Sequence, residues 1–256
     1  MNPSPPWTHP DDVDRQLADV GWAVLDPTTL GEKCWTAAAG PWREWATRFW
    51  SDLPPDPHLR DGGRYRHRRH GCFWVSAGQV QPVAHRAHWQ PLEYNALHGG
   101  FERWFDPLPS ALMVDPAWSA LLAALARTAD GLRGPQPWFV EAHLFRIDTA
   151  GGIGRPTPEG AHRDGVDLVA VVLVDRQRVK GGETRVFDAL GPHGVRFTLT
   201  EPGSALLLDD ARVIHETTPI QPETAGGGGW RDTLVLTYRS GGFQGPAVPS
   251  AKPPEA

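Results

Sequence analysis

The chain is expected to be mainly β with helices gathered in its N-terminal half, and three stretches carry that expectation. Residues 168–174, LVAVVLV, are a Val-rich apolar run of the length of a buried strand. Residues 230–239, WRDTLVLTYR, are rich in β-branched and aromatic side chains and follow a tract of glycines at 226–229. Residues 116–132 instead repeat Trp118, Leu121, Leu122, Leu125 and Leu132 at helical spacing behind Pro116, which suits a first helical turn.

Taken in order, residues 11–20 start acidic and read as a short helix, and residues 28–51 as one or two more, interrupted at Gly40-Pro41. Ten of the 12 Trp precede residue 120, a distribution that fits helices packed on a sheet better than a pocket lining. In residues 60–69, Arg64, Arg66 and Arg68 alternate, so one strand face carries guanidiniums. That face is either solvated or turned to a carboxylate. Residues 140–147, VEAHLFRI, read as a strand with Glu141 and His143 on one face and Arg146 on the other. After the 168–174 run, Lys180-Gly181-Gly182 turns into a strand at 183–187, residues 195–200 alternate, residues 201–204 turn, and residues 205–208 lead on toward His215.

At 256 residues and 40% apolar content, one domain spanning 1–256 can bury one core. It divides into a helix-rich support at 13–132, a strand core at 138–239, and flexible tails at 1–12 and 240–256. The net charge of -5 argues against a nucleic-acid partner. Only Cys34 and Cys72 occur, which excludes a disulfide framework and a Cys-based zinc site and makes a cytoplasmic location the default. The longest apolar run is too short to span a bilayer, and MNPSPPWTHPDD lacks the features of a secretion signal, so no membrane association is expected.

The chemistry is concentrated in residues 158–188, PEGAHRDGVDLVAVVLVDRQRVKGGETRVFD, and in LLLDDARVIHETTP further on. Residues i and i+2 of an extended segment point to one side, so His162 and Asp164 can grip one metal while His215 completes the set from another strand. Two imidazoles and one carboxylate on one face leave positions open for a co-substrate and O2, as a non-haem Fe(II) oxygenase needs and a closed structural zinc site does not. A bare His-x-Asp pattern is weak, with roughly one match expected by chance. His9-Pro10-Asp11 is such a match, in a Pro-rich tail with no apolar strand beside it.

In the 230–239 strand Arg231 and Thr233 share a face. A dicarboxylate that chelates iron through a 2-oxo acid end has a distal carboxylate, which a guanidinium fork and a neighbouring hydroxyl would hold.

The order PTPEGAHRDGVD, GGETRVFD, EPGSALLLDDARVIHETTPI, WRDTLVLTYR resembles the bacterial 2-oxoglutarate/Fe(II) dioxygenase family that includes L-isoleucine 4-hydroxylase. The likeness extends upstream through DGGRYRHRRHGCF and VEAHLFRI. It implies a double-stranded β-helix (jelly-roll, cupin-like) fold, Fe(II) on His162, Asp164 and His215, and 2-oxoglutarate clamped by Arg231. It also implies hydroxylation of an unactivated C–H bond, often in a free amino acid, with O2 as co-substrate. For such a substrate's charged groups the candidates are Glu141, His143, Arg146, Arg66 and Arg68. The alternatives are a peptide or protein hydroxylase with the same metal chemistry, a cupin-type isomerase or dioxygenase, and a non-catalytic jelly-roll binding module.

Overall fold

The computed structural model describes residues 3–35 and 40–246. The 168–174 run lies inside strand β5 (Leu168–Gln177), at the middle of a large antiparallel sheet. Its neighbours are β12 (Trp230–Arg239) and β9 (Ala205–Asp209), with β1 (Trp22–Leu25) beyond β9. On the far side of β12 come β4 (Trp138–Asp148), β2 (Arg66–Ser76) and β3 (Gln79–Pro82), which completes the order β1-β9-β5-β12-β4-β2-β3. The central strands β12 and β5 are buried on both faces, which is why their sequences read as near-continuous apolar runs.

A smaller layer faces this sheet. It consists of β7 (Thr184–Asp188) between β8 (Gly194–Phe197) and β10 (Val213–Thr217), and of the pair β6 (Val179–Gly181) with β11 (Ile220–Pro222). Val169, Leu173, Leu206 and Leu208 of the large sheet meet Val186, Phe197 and Val213 of the small one in a buried apolar cluster. Two antiparallel sheets packed in this way form a jelly roll.

The opposite face of the large sheet is covered by helices α1 (Val13–Val20), α2 (Pro27–Trp35), α3 (Trp42–Trp45), α4 (Ser110–Met113) and α5 (Pro116–Arg133). Helix α5 starts on Asp115, whose carboxylate accepts from the Ala117 N–H at 2.9 Å, with Pro116 in its first turn. Tyr238 of β12 donates to the Leu122 carbonyl at 3.0 Å and ties helix to sheet. Trp42 and Trp45 meet edge-on with centroids 5.4 Å apart, and Trp45 lies 5.9 Å from Trp118, so these indoles form the packing between α3 and α5. Trp118 is fully buried, so Trp118→Ala should cost about 3–5 kcal/mol in urea unfolding. A loss under about 1 kcal/mol would show that the helices contribute little to the core.

Two expectations need correction. Residues 3–12 are not a loose tail: Pro3 accepts from the Thr198 N–H at 3.0 Å, and the Thr8 N–H donates to Val24 at 2.8 Å. Residues 240–246 are likewise laid against the β-core through Gln244 and Phe243, while residues 1–2 and 247–256 fall outside the described part. Strands β1 and β3 have only four residues each and carried no readable period. The segment expected to be helical over 28–51 continues beyond α3 as a π-type turn, Ala46–Trp50. No described helix is long and apolar enough to cross a membrane.

Candidate active site

The loop between β4 and β5 is held to β10 by a two-way backbone bridge: His162 N–H donates to the His215 carbonyl at 3.0 Å, and the reverse bond is 2.9 Å. That bridge sets the two imidazoles 4.6 Å apart, centroid to centroid. His162 Nδ1 lies 2.9 Å from the Gly160 carbonyl, so Nδ1 carries the proton and Nε2 keeps its lone pair for a metal. The Asp164 carboxylate stands 3.3 Å from His215 Nε2 and 3.9 Å from His162 Nε2. One ligand atom from each residue falls within 4.8 Å of the others, a group that could hold a metal ion. Burial pushes the Asp164 carboxyl up, but the hydrogen bond with His215 and the electrostatic pull of the neighbouring imidazoles outweigh it, so it stays ionised.

The position of Asp164 is built from below. The carboxylate of Asp210, itself buried, accepts from the backbone N–H groups of Asp164 (3.0 Å), Gly165 (2.7 Å) and Val166 (3.1 Å). Gly165 has φ +76°, and a Cβ there would meet the Tyr94 ring at 2.4 Å, so only glycine allows this turn. Gln244 donates to the carbonyls of Asp164 and Gly165, and Gln90 donates to Asp164 Oδ1 at 3.1 Å. Asp210→Ala leaves three part-buried N–H groups without their acceptor, and affinity for Fe(II) should fall about 10–100-fold in a direct metal titration. Unchanged affinity would mean that the loop holds its own shape.

The sheet register explains the rest of the cleft. Arg66, Ile147 and Arg231 share one cross-strand row; Arg68, Phe145 and Thr233 share the next; His70, His143 and Val235 the third; Cys72, Glu141 and Thr237 the fourth. Arg231 and Thr233 are each 3% exposed and line the same cleft as His162, Asp164 and His215. Neither Nε nor Nη2 of Arg231 has a partner. Burial and then the neighbouring Arg176 push this guanidinium down to about 10. A buried cation with two donors unsatisfied is suited to an anionic ligand in the cleft.

Of the other sequence candidates, Glu141, His143, Arg66 and Arg68 line the cleft. Arg146 does not. Strand alternation turns it to the opposite face, where it donates to Asp232 at 2.8 and 2.6 Å, so it is withdrawn as a substrate contact. Arg66 donates to buried Asp56 at 2.7 Å, and Arg68 Nη2 lies 2.7 Å from His143 Nδ1. His70, His88, Glu141 and His143 also cluster closely enough to be considered as a metal group. Donation from Arg68 puts the His143 ring proton on Nε2, and Glu141 already accepts from His88 at 2.9 Å and lies 3.6 Å from His70. The cluster is therefore a buried hydrogen-bond network that fixes side chains, with no free donor set for a cation.

His88, Gln90, Arg103, Glu159 and Gln244 also line the cleft and were not found by sequence reasoning. Glu159 alone had a visible cue, standing three residues before His162 in PTPEGAH.

A scan against family models matches the 2OG-Fe dioxygenase family over residues 47–237. The chain belongs to that family. The dioxygenase is also similar to a bsmA homolog from Methylobium petroleophilum PM1, at 54% identity over 95% of this chain and 98% of that one, with a TM-score of 0.88. It shares its fold with IDO from Bacillus thuringiensis (14% identity, 91% and 99% covered, TM-score 0.68). The same holds for TqaL, an Fe(II)/α-ketoglutarate-dependent dioxygenase (17% identity, 90% and 86% covered, TM-score 0.67). No curated protein matches the chain. The family uses Fe(II), 2-oxoglutarate and O2, and a His-His-Asp metal site of the corresponding type is present in this cleft.

Proposed function

We propose that this dioxygenase hydroxylates an unactivated C–H bond of a small free L-amino acid, an aliphatic side chain being favoured, while 2-oxoglutarate is converted to succinate and CO2. The observation that carries the reading is Arg231, a buried guanidinium with unsatisfied donors in the same cleft as the His162–Asp164–His215 group. In this reading those three residues hold Fe(II), and Arg231 with Thr233 holds the distal carboxylate of 2-oxoglutarate. Bound iron and 2-oxoglutarate supply the oxidising power for C–H cleavage. The chain's own contribution is positional: Gln90 and the Asp210-held loop orient Asp164, Gly160 fixes the His162 tautomer, and Ile147, Val171 and Val235 wall the cleft with apolar surface.

The test is a panel of free L-amino acids supplied with Fe(II), 2-oxoglutarate and O2, read by succinate release and by mass spectrometry for a gain of one oxygen. Several aliphatic amino acids should be modified at unequal rates, because a methylene is worth only about 1–3 kcal/mol of discrimination. Modification of peptides with none of any free amino acid would move the enzyme to the peptide-hydroxylase class.

A further inference from the structure

Two opposite charges in the cleft, Arg103 and Glu159, stand near the metal group without pairing with each other. Arg103 is 2% exposed, has no carboxylate partner, donates Nη2 to Gln90 Oε1 at 2.7 Å, and leaves Nε without a partner. Glu159 has a side chain 12% exposed, its Oε2 is without a partner, and its Oε1 is 3.6 Å from His162 Nε2. Among the described residues no ion pair joins them. Desolvating two ions of opposite sign in one cavity and then leaving them apart is costly unless something bridges them. The surroundings constrain the bridge. Asp56, which is not part of the cleft lining, pairs with Arg66 and Arg68, Glu141 is bound by His88, and burial keeps His70, His88 and His143 neutral, which leaves Arg103 and Glu159 as opposite charges with an unpartnered atom each. Two separated poles of opposite sign match a zwitterion better than an anion.

We infer that Arg103 and Glu159 form the seat of the substrate's α-carboxylate and α-ammonium respectively, with the Arg68 guanidinium beside the carboxylate. The assignment rests on the free-amino-acid reading. Arg103 reaches Asp164 through Gln90 in two hydrogen bonds, so a ligand seated on it lies alongside the metal group with its side chain as the reachable part. A residue inside a peptide carries neither pole and would leave both ions unmatched.

The test is equilibrium dialysis of the protein loaded with Mn(II), which does not turn over, and 2-oxoglutarate. Its probes are the twenty L-amino acids, their methyl esters and the corresponding acids lacking the amino group. At least one amino acid should bind, with ester and des-amino acid each weaker by about 30-fold or more. Arg103→Gln should erase the preference for acid over ester, and Glu159→Gln the preference for amino acid over des-amino acid. Both variants should keep wild-type affinity for 2-oxoglutarate, which also establishes that they fold. Glu159→Gln should keep Mn(II) affinity by electron paramagnetic resonance, while Arg103→Gln, which frees the Gln90 that orients Asp164, should lose at most the about 10–100-fold of an outer-sphere partner. A fall in Mn(II) affinity in Glu159→Gln would make Glu159 a metal ligand and overturn the seat. Amino-acid binding with both preferences intact in the variants would overturn the seat and spare the free-amino-acid reading. No binding of any amino acid to wild type would overturn that reading, and the seat with it.

Discussion

His162→Ala, Asp164→Ala and His215→Ala should each lower Fe(II)-dependent succinate formation by well over about 100-fold, beyond the upper range for loss of an outer-sphere partner. Each supplies one ligand atom to a group whose ligand atoms all lie within 4.8 Å of one another. Folding should survive, because the three side chains face the cleft and the His162–His215 bridge is made by backbone atoms that alanine retains. Metal content after dialysis should fall in parallel with turnover, while thermal melting of the metal-free variants stays near that of the metal-free wild type. Wild-type-like succinate release in any one of them would remove that residue from the metal site. A variant that loses activity while keeping full metal content would mean that the side chain acts on substrate instead.

How much of this was legible in the sequence depended on whether the information was local. His162 and Asp164 could be paired because two residues of extended chain suffice to aim both side chains, and a Val-rich strand follows directly. Strand β12 was readable to its ends because it is buried between β4 and β5 along its whole length, so nearly every side chain had to suit a sheet interior. Alternation separated Arg146 from Glu141 and His143, and the register agrees. It could not say which face of the basic strand was inside. The face carrying Arg66 and Arg68 is buried, at 5% and 3% exposure, because Asp56 from a preceding loop offsets their charge.

Gln90, Arg103 and Glu159 were beyond reach for the same reason in reverse. Gln90 meets Asp164 across 74 residues, from a loop with no period to announce its direction. The C-terminal segment misled through composition: glycine and proline predict looseness, yet Gln244 uses two carbonyls of the metal loop as anchors. Local propensity sets what a segment does alone, and here long-range hydrogen bonds decide otherwise.

Arg231→Met should raise the apparent KM for 2-oxoglutarate by about 100-fold or more, because charge-assisted hydrogen bonds contribute about 1.5–3 kcal/mol each and the carboxylate would lose a two-point partner. Arg231→Lys keeps the charge without the planar fork and should fall between the two. The KM for the prime substrate should change far less, since Arg103 and Glu159 lie on loops and Arg66, which shares Arg231's row, is held by Asp56. Arg176 is in register with Arg231, but its Nη2 is bound to the carbonyls of Val179 and Gly181, so it is a poor substitute. Arg239→Met, eight residues further along β12 and bonded to the Gly242 carbonyl, should leave the 2-oxoglutarate KM unchanged. Stability separates this role from a structural one. Burial already pushes the Arg231 guanidinium down to about 10, and two of its nitrogens have no partner, so the free protein gains nothing from the charge. Replacing it with an apolar side chain of similar length should leave the ligand-free protein as stable as wild type or more so, while abolishing the stabilisation that added 2-oxoglutarate gives wild type. A variant that melts much earlier without ligand and binds 2-oxoglutarate normally would make Arg231 a structural residue and place the clamp elsewhere.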